Sequence, residues 1–459
     1  MPNFDYYSPE NIASILTKED NVYFIGIGGV SMSSLAEIAS KKVSRTAGSD
    51  RTLSSVTEAL EKEGIKVFEG HNADNCRGYT VFVYNSAIHE DNPEYAYAKN
   101  GGFPLIRRAD FLGYVVTFYK QSVGVAGTHG KSTSTAMLGA ALAEAGLDPT
   151  VLNGAVMRDI NSSYRKGSDK VLCFEACEYT DSFLSFFPQI ALVLNIGFDH
   201  ADYFGNVDNY IKSFKKYISQ SPCAVVNTDS SNCRAAIEGY TGKLIKCGME
   251  KTADVYPENL KTDGKYPEFD AMYKGKKYAH IKLGVFGIHN VYNALCCIGA
   301  CILLGVSGRA AAKGIGGFEG VARRFEFKGK CGGASVYDDY AHHPDEIKAT
   351  LSIAREQTKG RLYVAFQPHT YSRTAEFYDG FINAFSDCDE VIFCDIYAAR
   401  ETDTLGMSAE KLAADTKNGT YRGDLDAVAD YLKKTLKPGD AAVIMGAGNV
   451  NRIISRLTE

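Results

Sequence analysis

A glycine-rich segment between a predicted buried strand and a predicted helix carries the strongest chemical signal in the chain. It runs Gly-Val-Ala-Gly-Thr-His-Gly-Lys-Ser and ends at Ser132. Its glycines let backbone N–H groups turn toward phosphate oxygens, and the helix that follows offers the positive end of its dipole. Lys131 can place an ammonium group on the β- and γ-phosphates, and the Ser132 hydroxyl can ligate Mg²⁺. The predicted nucleotide-binding residues are Gly127, Thr128, His129, Gly130, Lys131, Ser132 and Thr133.

Two neighbouring strands are predicted to bring further ligands to this loop. The strand Val171–Glu175 ends in a carboxylate, and the strand over 190–196 is followed by Phe198-Asp199-His200. Because the carboxyl ends of parallel strands meet at one edge of a sheet, Glu175 and His200 should lie beside the loop. Taken alone, His200 is better explained as a capping or core histidine than as a metal ligand. Together with the loop and Glu175, it indicates a metal site.

A second glycine-rich turn, Gly26-Ile27-Gly28-Gly29-Val30-Ser31, follows the first predicted strand of the chain. Asp50 ends the next strand, where dinucleotide enzymes keep the acid that binds a ribose. On this part of the sequence alone, a nicotinamide-dependent dehydrogenase is a fair interpretation. That interpretation leaves the loop at Lys131 and its ligands unexplained.

Near the C-terminus, polar clusters follow four predicted strands. Since all four fall at the carboxyl ends of parallel strands, they should face one crevice. The clusters are Asp338 to Pro344, Gln367 to Thr374, Asp395 to Glu401 and Gly446 to Asn449.

The elements that position these residues form three α/β blocks in which strand and helix patterns alternate. Such alternation predicts parallel sheets joined by right-handed crossovers. We predict a Rossmann-like domain over 1–112, a central domain of the phosphate-loop ATPase type over 113–321, and a second Rossmann-like domain over 322–459. Short alternating stretches between about Gly242 and Gly284 predict a small β insertion in the central domain.

Charge and composition argue against a nucleic-acid-binding protein, a membrane protein and a disulfide-bonded secreted protein. The 459 residues carry a formal net charge of −5, so no basic excess favours nucleic acid as a partner. No apolar run approaches the length of about 20 residues that a membrane helix needs, and no signal segment is evident. None of the 12 cysteines forms a CxxC pair, which favours reduced core thiols in the cytoplasm.

The ATP-site motifs resemble those of the Mur ligase family. The loop matches GxxGTxGK[ST], a pattern shared with folylpolyglutamate synthetases, and E-A-x-E, N-I-x-x-D-H, H-N-x-x-N-A and R-F-E follow in the family's order. The resemblance implies ATP and Mg²⁺ as cofactors, with the metal held by Ser132, Glu175 and His200. It also implies that Asn293 reads adenine, that Arg324 reaches the phosphates and that Asp339 bonds the ribose.

The outer blocks resemble the members of the family that add L-alanine to UDP-N-acetylmuramate. The run G-I-G-G-V-S-M-S and the Ser-Ala-Ile at 86–88 imply a UDP-sugar site in the first block, and D-D-Y-x-H-H-P and Q-P-H-x-Y-x-R-T imply an amino-acid pocket in the third. The implied UDP-sugar residues are Gly26, Gly28, Gly29, Ser31, Asp50, His71 and Ser86. The implied amino-acid residues are Tyr340, His342, His369 and Arg373, and the implied catalytic residues are Lys131, Glu175, His200 and Arg324.

The expected reaction is therefore ATP-dependent ligation of L-alanine to UDP-N-acetylmuramate through an acyl phosphate, in the synthesis of cell-wall peptidoglycan. His342, His369 and His200 are unranked candidates for the base that serves the attacking amine. We expect small-molecule substrates, no nucleic acid or membrane partner, and a monomer or weak homodimer. The alternatives are a recycling ligase that adds a wall tripeptide, the dehydrogenase above, and a catalytically silent nucleotide-binding regulator.

Overall fold

The computed structural model describes residues 7–263, 266–399 and 401–458, and these contain three sheets. The first is a five-stranded parallel sheet of order β3-β2-β1-β4-β5. Its strands are β1 Asn21–Ile25, β2 Arg45–Asp50, β3 Lys66–Glu69, β4 Val81–Tyr84 and β5 Leu105–Arg107. Its helices are α1 Pro9–Ile15, α2 Val30–Ala39, α3 Ser55–Lys62, α4 Pro93–Asn100 and α5 Arg108–Val116, with a 3₁₀ turn at Ala73–Cys76.

The central sheet has ten strands in the order β15-β14-β13-β12-β11-β10-β6-β9-β7-β8. They are β6 Gln121–Ala126, β7 Thr150–Met157, β8 Ser162–Arg165, β9 Val171–Glu175, β10 Ile190–Val193, β11 Cys223–Asn227, β12 Lys243–Cys247, β13 Val255–Lys261, β14 Glu268–Tyr273 and β15 Lys276–Lys282. The helices are α6 Lys131–Glu144, α7 Ala201–Phe204, α8 Val207–Ser219, α9 Ser231–Ala236, α10 Ile288–Leu303 and α11 Gly308–Gly316, with 3₁₀ turns over Tyr179–Ser185.

The strands predicted as a small insertion extend this central sheet. β12 pairs in parallel with β11 and continues the main sheet, while β14 and β15 form an antiparallel hairpin at its edge. At the opposite edge β7 and β8 form a second hairpin, which the sequence patterns did not reveal.

The third sheet has six strands in the order β16-β17-β21-β18-β19-β20, and only its edge strand β16 is antiparallel. The strands are β16 Glu326–Cys331, β17 Ala334–Asp339, β18 Leu362–Phe366, β19 Glu390–Cys394, β20 Gly419–Gly423 and β21 Ala441–Met445. The helices are α12 Pro344–Gln357, α13 Tyr371–Glu376, α14 Tyr378–Ile382, α15 Ala409–Asp415, α16 Leu425–Thr435 and α17 Ile454–Leu457, with a 3₁₀ turn at Val450–Ile453. α12 begins at Pro344 as predicted, and His343 caps it.

The chain divides into two compact units. The first comprises Met1–Leu260, Glu268–Leu283 and Asn290–Phe318, and so holds the first two sheets; the second comprises Lys261–Pro267, Gly284–His289 and Glu319–Glu459. Within the first unit the predicted boundary after residue 112 falls inside α5, and Phe111 of that helix packs edge-on against Phe24 of β1. One hydrophobic core serves both sheets there, and it includes Leu172, Phe174 and Phe214. Among the described residues, no helix combines the length and apolar character needed to cross a bilayer.

Candidate active site

The predicted phosphate loop joins β6 to α6, because strand β6 ends at Ala126 and helix α6 begins at Lys131. Gly127 has φ of 145° and Gly130 has φ of 86°, values that L side chains rarely adopt. A β-carbon on Gly130 would also lie 2.8 Å from Oδ1 of Asn293. These glycines therefore allow the backbone to turn sharply while a polar side chain lies against it.

The loop is tied to the end of the neighbouring strand β10. Asn195 accepts a hydrogen bond from the backbone N–H of His129 and donates one to its carbonyl, each at 2.9 Å. The Thr128 hydroxyl donates to the carbonyl of Gly197 at 2.6 Å and accepts from its N–H at 3.0 Å. Gly197 thus contributes its backbone to the loop.

Gly124, the first glycine of the loop motif, stands one position before the glycine of the strict phosphate-loop pattern, where this chain has Val125, and it has a packing role. It lies inside β6, and its carbonyl accepts a hydrogen bond from the Tyr217 hydroxyl at 2.9 Å. A β-carbon here would overlap that hydroxyl oxygen and crowd Phe174 and Pro188. Gly124 therefore admits a buried tyrosine behind the loop.

Lys131 is held inside the loop by Glu178, an acid for which the sequence motifs predict no role. Its ammonium nitrogen lies 2.9 Å from Oε2 and 3.0 Å from Oε1 of Glu178, and it donates to the carbonyls of Gly127 and Thr128 at 2.6 and 3.2 Å. Burial disfavours the charged form of Lys131, but the nearby acidic groups, Glu178 foremost, outweigh it and raise the pKa above its usual value. The lysine is thus a cation.

Two of the predicted metal ligands meet at the carboxyl end of β9. The Ser132 hydroxyl donates to Oε2 of Glu175 at 2.8 Å, and the N–H of Gly154 donates to the same oxygen at 2.9 Å. A β-carbon on Gly154 would approach Oε2 to 2.5 Å, so this glycine leaves room for the carboxylate. A hydroxyl and a carboxylate oxygen brought together are the hard donors that Mg²⁺ prefers, so these residues fit that ion.

His200, the third predicted ligand, precedes α7 in a left-handed conformation with φ of 57°. Its Nε2 lies 3.7 Å from Oε1 of Glu178 and 3.8 Å from Asp199, and Tyr179 packs on its ring with centroids 4.5 Å apart. Glu178 therefore contacts both Lys131 and His200, which makes it a member of the site that our motif assignments missed. It lies three residues after Glu175, in the E-A-C-E segment.

Asn293 and Asn290 lie on the first turns of α10, and both are buried. Asn293 donates from Nδ2 to Oδ1 of Asn290 at 2.9 Å. Asn290 lies inside the helix and does not cap it, since α10 begins at Ile288. This pairing orients the Asn293 amide beside Gly130. Thr133 occupies the first turn of α6, where it is half-buried.

The predicted UDP-sugar residues gather at the carboxyl ends of β1, β2 and β3. The turn after β1 is held by the carbonyl of Ser49, which accepts from Gly26 and Ile27, and Asp50 accepts from the N–H of Gly28 at 2.9 Å. Gly29 caps α2, and Ser31, in the first turn of that helix, accepts from Arg108 at 3.1 Å. His71 follows β3, and Ser86 is an exposed residue after β4.

In the second unit, Asp339 ends β17 with both carboxylate oxygens engaged. Oδ2 accepts from the N–H of Phe325 at 2.7 Å and Oδ1 from the N–H of Ala341 at 2.8 Å. Burial raises its pKa to about 6, against the lowering effect of Arg324 and of these hydrogen bonds. Asp339 thus anchors the segment that carries Arg324; a contact with ribose stays a prediction.

The predicted amino-acid residues cluster around the end of β17. The His342 and His369 rings are 6.1 Å apart, and the Tyr340 ring is 5.3 Å from that of His342. Burial lowers the pKa of His342 to about 4 although Glu346 acts against it, and burial and then Arg373 lower the pKa of His369. Both imidazoles are therefore neutral near pH 7.

Glu346, in the first turn of α12, joins two of these residues. It accepts from the N–H of His342 at 3.2 Å, and Oε1 lies 3.5 Å from Arg324. The guanidinium of Arg324 lies over the Tyr340 ring, 5.5 Å from its centroid. The structure thus brings Arg324 together with Tyr340 and His342, and Glu346 is a further residue that the motifs did not single out.

Family models match the chain in three consecutive stretches. These are the Mur ligase family catalytic domain over residues 21–120, the Mur ligase middle domain over 125–301 and the Mur ligase glutamate ligase domain over 323–448. A UDP-N-acetylmuramate–L-alanine ligase of Caldanaerobacter subterraneus subsp. tengcongensis is 42% identical over 453 residues, covering 97% of this chain and 98% of that protein.

The chain belongs to the Mur ligase family. A second relative of the same name from Acetivibrio thermocellus is 41% identical and covers 95% of each chain. Among solved structures, the UDP-N-acetylmuramate-alanine ligase MurC of Thermotoga maritima superposes with a TM-score of 0.80 at 26% identity, covering 95% of this chain and 98% of that one. As in that Mur ligase, the fold is a three-domain α/β arrangement, which confirms the predicted fold class.

Proposed function

We propose that this Mur ligase joins L-alanine to UDP-N-acetylmuramate with cleavage of ATP to ADP and phosphate, in the synthesis of peptidoglycan precursors. The observation that carries the proposal is the meeting of Lys131, Ser132 and Glu175 at one sheet edge in a chain 42% identical to a ligase of that name. An activating phosphoryl transfer needs this combination of cation, hydroxyl and carboxylate.

In the first step a carboxylate oxygen of the sugar attacks the γ-phosphorus of ATP, and the bond to the bridging oxygen of ADP breaks. Lys131 binds the phosphates and stabilises the negative charge that moves onto the leaving ADP. The N–H groups after Gly127 and Gly130 orient the phosphates. Asn293 binds the adenine base. The product of this step is an acyl phosphate.

Ser132, Glu175 and His200 are the residues that would hold Mg²⁺. The ion supplies charge neutralisation to the phosphates when bound. Gly154 keeps the Glu175 carboxylate in place through its N–H group.

In the second step the amine of L-alanine attacks the acyl carbon, and the carbon–oxygen bond to phosphate breaks. We infer that His342 receives the proton, which ranks it above His369 and His200. Its Nδ1 lies 2.9 Å from the carbonyl of Tyr340, an acceptor, so Nδ1 carries the hydrogen and Nε2 has a free lone pair. With a pKa of about 4 the ring is neutral when the amine arrives. Arg373 would hold the carboxylate of the amino acid.

Phosphate release tests the proposal most directly. The purified protein is incubated with Mg·ATP, UDP-N-acetylmuramate and, in separate reactions, L-alanine, glycine, L-serine or a wall tripeptide. We expect release that requires both the UDP-sugar and L-alanine. Release with the tripeptide alone would replace the proposal with a recycling ligase, and NADH-dependent turnover would replace it with a dehydrogenase.

Lys131→Ala should abolish release while UDP-sugar binding persists. The matched control is Lys313→Ala, because Lys313 forms an exposed pair with Glu144 at 2.7 Å on the surface. Turnover retained in Lys131→Ala would contradict the role of the loop.

A further inference from the structure

The carboxylate of Glu94, near the start of α4, is completely buried beside the carboxyl ends of β1 and β2. A carboxylate offers only acceptors, and donors surround this one on every side. Oε1 accepts from the Tyr23 hydroxyl at 2.8 Å, the Asn72 N–H at 3.2 Å and the Asn75 amide at 3.1 Å, while Oε2 accepts from the Ser49 hydroxyl and from Nδ1 of His71 at 3.0 Å. Such a network holds its members in one geometry.

His71 has two ring nitrogens with different surroundings. Nδ1 lies 2.9 Å from the Ser49 hydroxyl and 3.0 Å from Oε2 of Glu94. The Ser49 hydroxyl donates to Oε2, and a carboxylate oxygen can only accept, so Nδ1 carries a hydrogen. Nε2 makes no hydrogen bond to any part of the chain that the structure describes, and the side chain is 17% exposed. The ring therefore presents one available nitrogen, whose lone pair is free when the imidazole is neutral.

His71 lies just after the carboxyl end of β3, at the edge of the sheet where β1 and β2 also end. His71 is connected to β2 through Gly70, whose N–H donates to the carbonyl of Asp50 at 2.7 Å. Asp50 in turn accepts from Gly28 of the glycine turn. Ligands of open α/β sheets bind at such strand ends.

We propose that Glu94 is a positioning residue for the nucleotide end of the UDP-sugar. It holds the His71 ring with Nδ1–H directed inward, so that Nε2 accepts a hydrogen bond from an N–H or O–H group of the uridine. The inference rests on the proposed function, because it deepens the UDP-sugar site of that reaction.

Calorimetric titration with UDP and with UDP-N-acetylmuramate tests this. Glu94→Gln keeps the side-chain volume. Because three donors face the position of Oε1, the amide oxygen should lie there, which places the NH2 group opposite Nδ1 of His71 and removes the acceptor that fixes its proton. We expect Kd to rise about tenfold for both ligands, which is the size of effect that the loss of one oriented hydrogen bond produces. The kcat at saturating substrate should be unchanged. Asn75→Ala is the matched control, since it removes a donor from Oε1 without touching His71, and its Kd should equal that of the wild type.

A double-mutant cycle separates positioning from general damage to the fold. If Glu94 acts through His71, the double variant Glu94→Gln/His71→Ala should bind UDP no more weakly than His71→Ala alone. Additive losses, or wild-type affinity in Glu94→Gln, would overturn the inference.

Nitrogen-15 NMR of the wild type provides a test that does not require any Glu94 variant to fold. The His71 signal, assigned by its loss in His71→Ala, should show the tautomer with hydrogen on Nδ1, and the opposite tautomer would refute the inference. Failure of the proposed function is distinguishable, because wild-type protein that binds neither UDP nor UDP-N-acetylmuramate rejects the substrate class itself.

Discussion

The ammonium nitrogen of Lys131 lies 2.9 Å from a carboxylate oxygen of Glu178, and the two side chains are 13% and 1% exposed. Lys131 therefore has a counter-charge before any nucleotide arrives. Phosphates that enter the loop either displace Glu178 from the ammonium group of Lys131 or bind this group together with Glu178. Removing either partner leaves a buried charge uncompensated.

Glu178→Gln should lower the stability of the nucleotide-free protein and increase the stabilisation that nucleotide binding provides. The variant leaves Lys131 without its carboxylate, and Mg·ATP resupplies negative charge. In thermal shift measurements, we expect a lower melting temperature without ligand and a larger upward shift with Mg·ATP than in the wild type. Glu144→Gln, which removes the acid of an exposed pair, should leave both values unchanged; an equal ligand shift in the two variants would contradict the role of Glu178.

Gly154→Ala should weaken metal-dependent turnover without removing any chemical group from the site. Its β-carbon would lie 2.5 Å from Oε2 of Glu175, so the carboxylate must move. We expect at least about a tenfold rise in the Mg²⁺ concentration for half-maximal activity, which corresponds to about 1.4 kcal/mol. Glu175→Gln should shift the Mg²⁺ dependence in the same direction and further. An unchanged titration in Gly154→Ala would show that the position of Glu175 is not critical.

Gly124→Ala should destabilise the protein through Tyr217. The added methyl group overlaps the tyrosine hydroxyl, and overpacking of this kind costs about 1–3 kcal/mol. Because Tyr217→Phe removes the overlapping oxygen, the double variant should be more stable than the sum of the single changes predicts. Chemical denaturation of the four proteins measures this coupling, and strict additivity would argue against it.

The free energy of unfolding should decrease as the pH is lowered, because His342 is buried in its neutral form. The pKa of about 4 in the folded protein lies below its usual 6.5, so the unfolded chain takes up a proton first as the pH falls from 6.5 to 4. The resulting loss, at most about 3 kcal/mol, is complete below pH 4. The groups that face this ring are Glu346, Arg373, Arg324 and His369.

His342→Gln removes this proton uptake. When the pH is lowered from 7 to 5, the melting temperature of the wild type should therefore fall by more than that of the variant. A constant difference over that range would mean that His342 is not buried in its neutral form.

The strand ends that carry the candidate site in the central sheet were predictable, because buried parallel strands have a continuous apolar pattern in the sequence. β9 was predicted with its observed bounds, and Glu175 follows from its position at the end of that strand. The apolar pattern predicts a first strand over 21–27, but β1 ends at Ile25, since Gly26 has φ of 80° and the chain turns there. The pattern of apolar residues continues to Ile27 because the turn itself is buried.

Other site residues could not be predicted from local patterns. Asn153-Gly154 is typical of a turn, yet both residues lie inside β7, where Gly154 is needed against Glu175. Glu178 lies in an irregular segment, so no periodicity indicates the direction of its side chain. Glu94 has the sequence context of an ordinary acid in the first turn of a helix, and its partners are up to 71 residues away.

The paired hydrogen bonds between Asn195 and the backbone of His129 have a thermodynamic consequence for nucleotide binding. They hold the loop in its turned shape by contacts that form when the protein folds, so the entropy of ordering this segment is lost at that stage. ATP therefore meets a rigid receptor. Calorimetry should show that breaking these bonds, as in Asn195→Ala, makes the entropy of association more unfavourable.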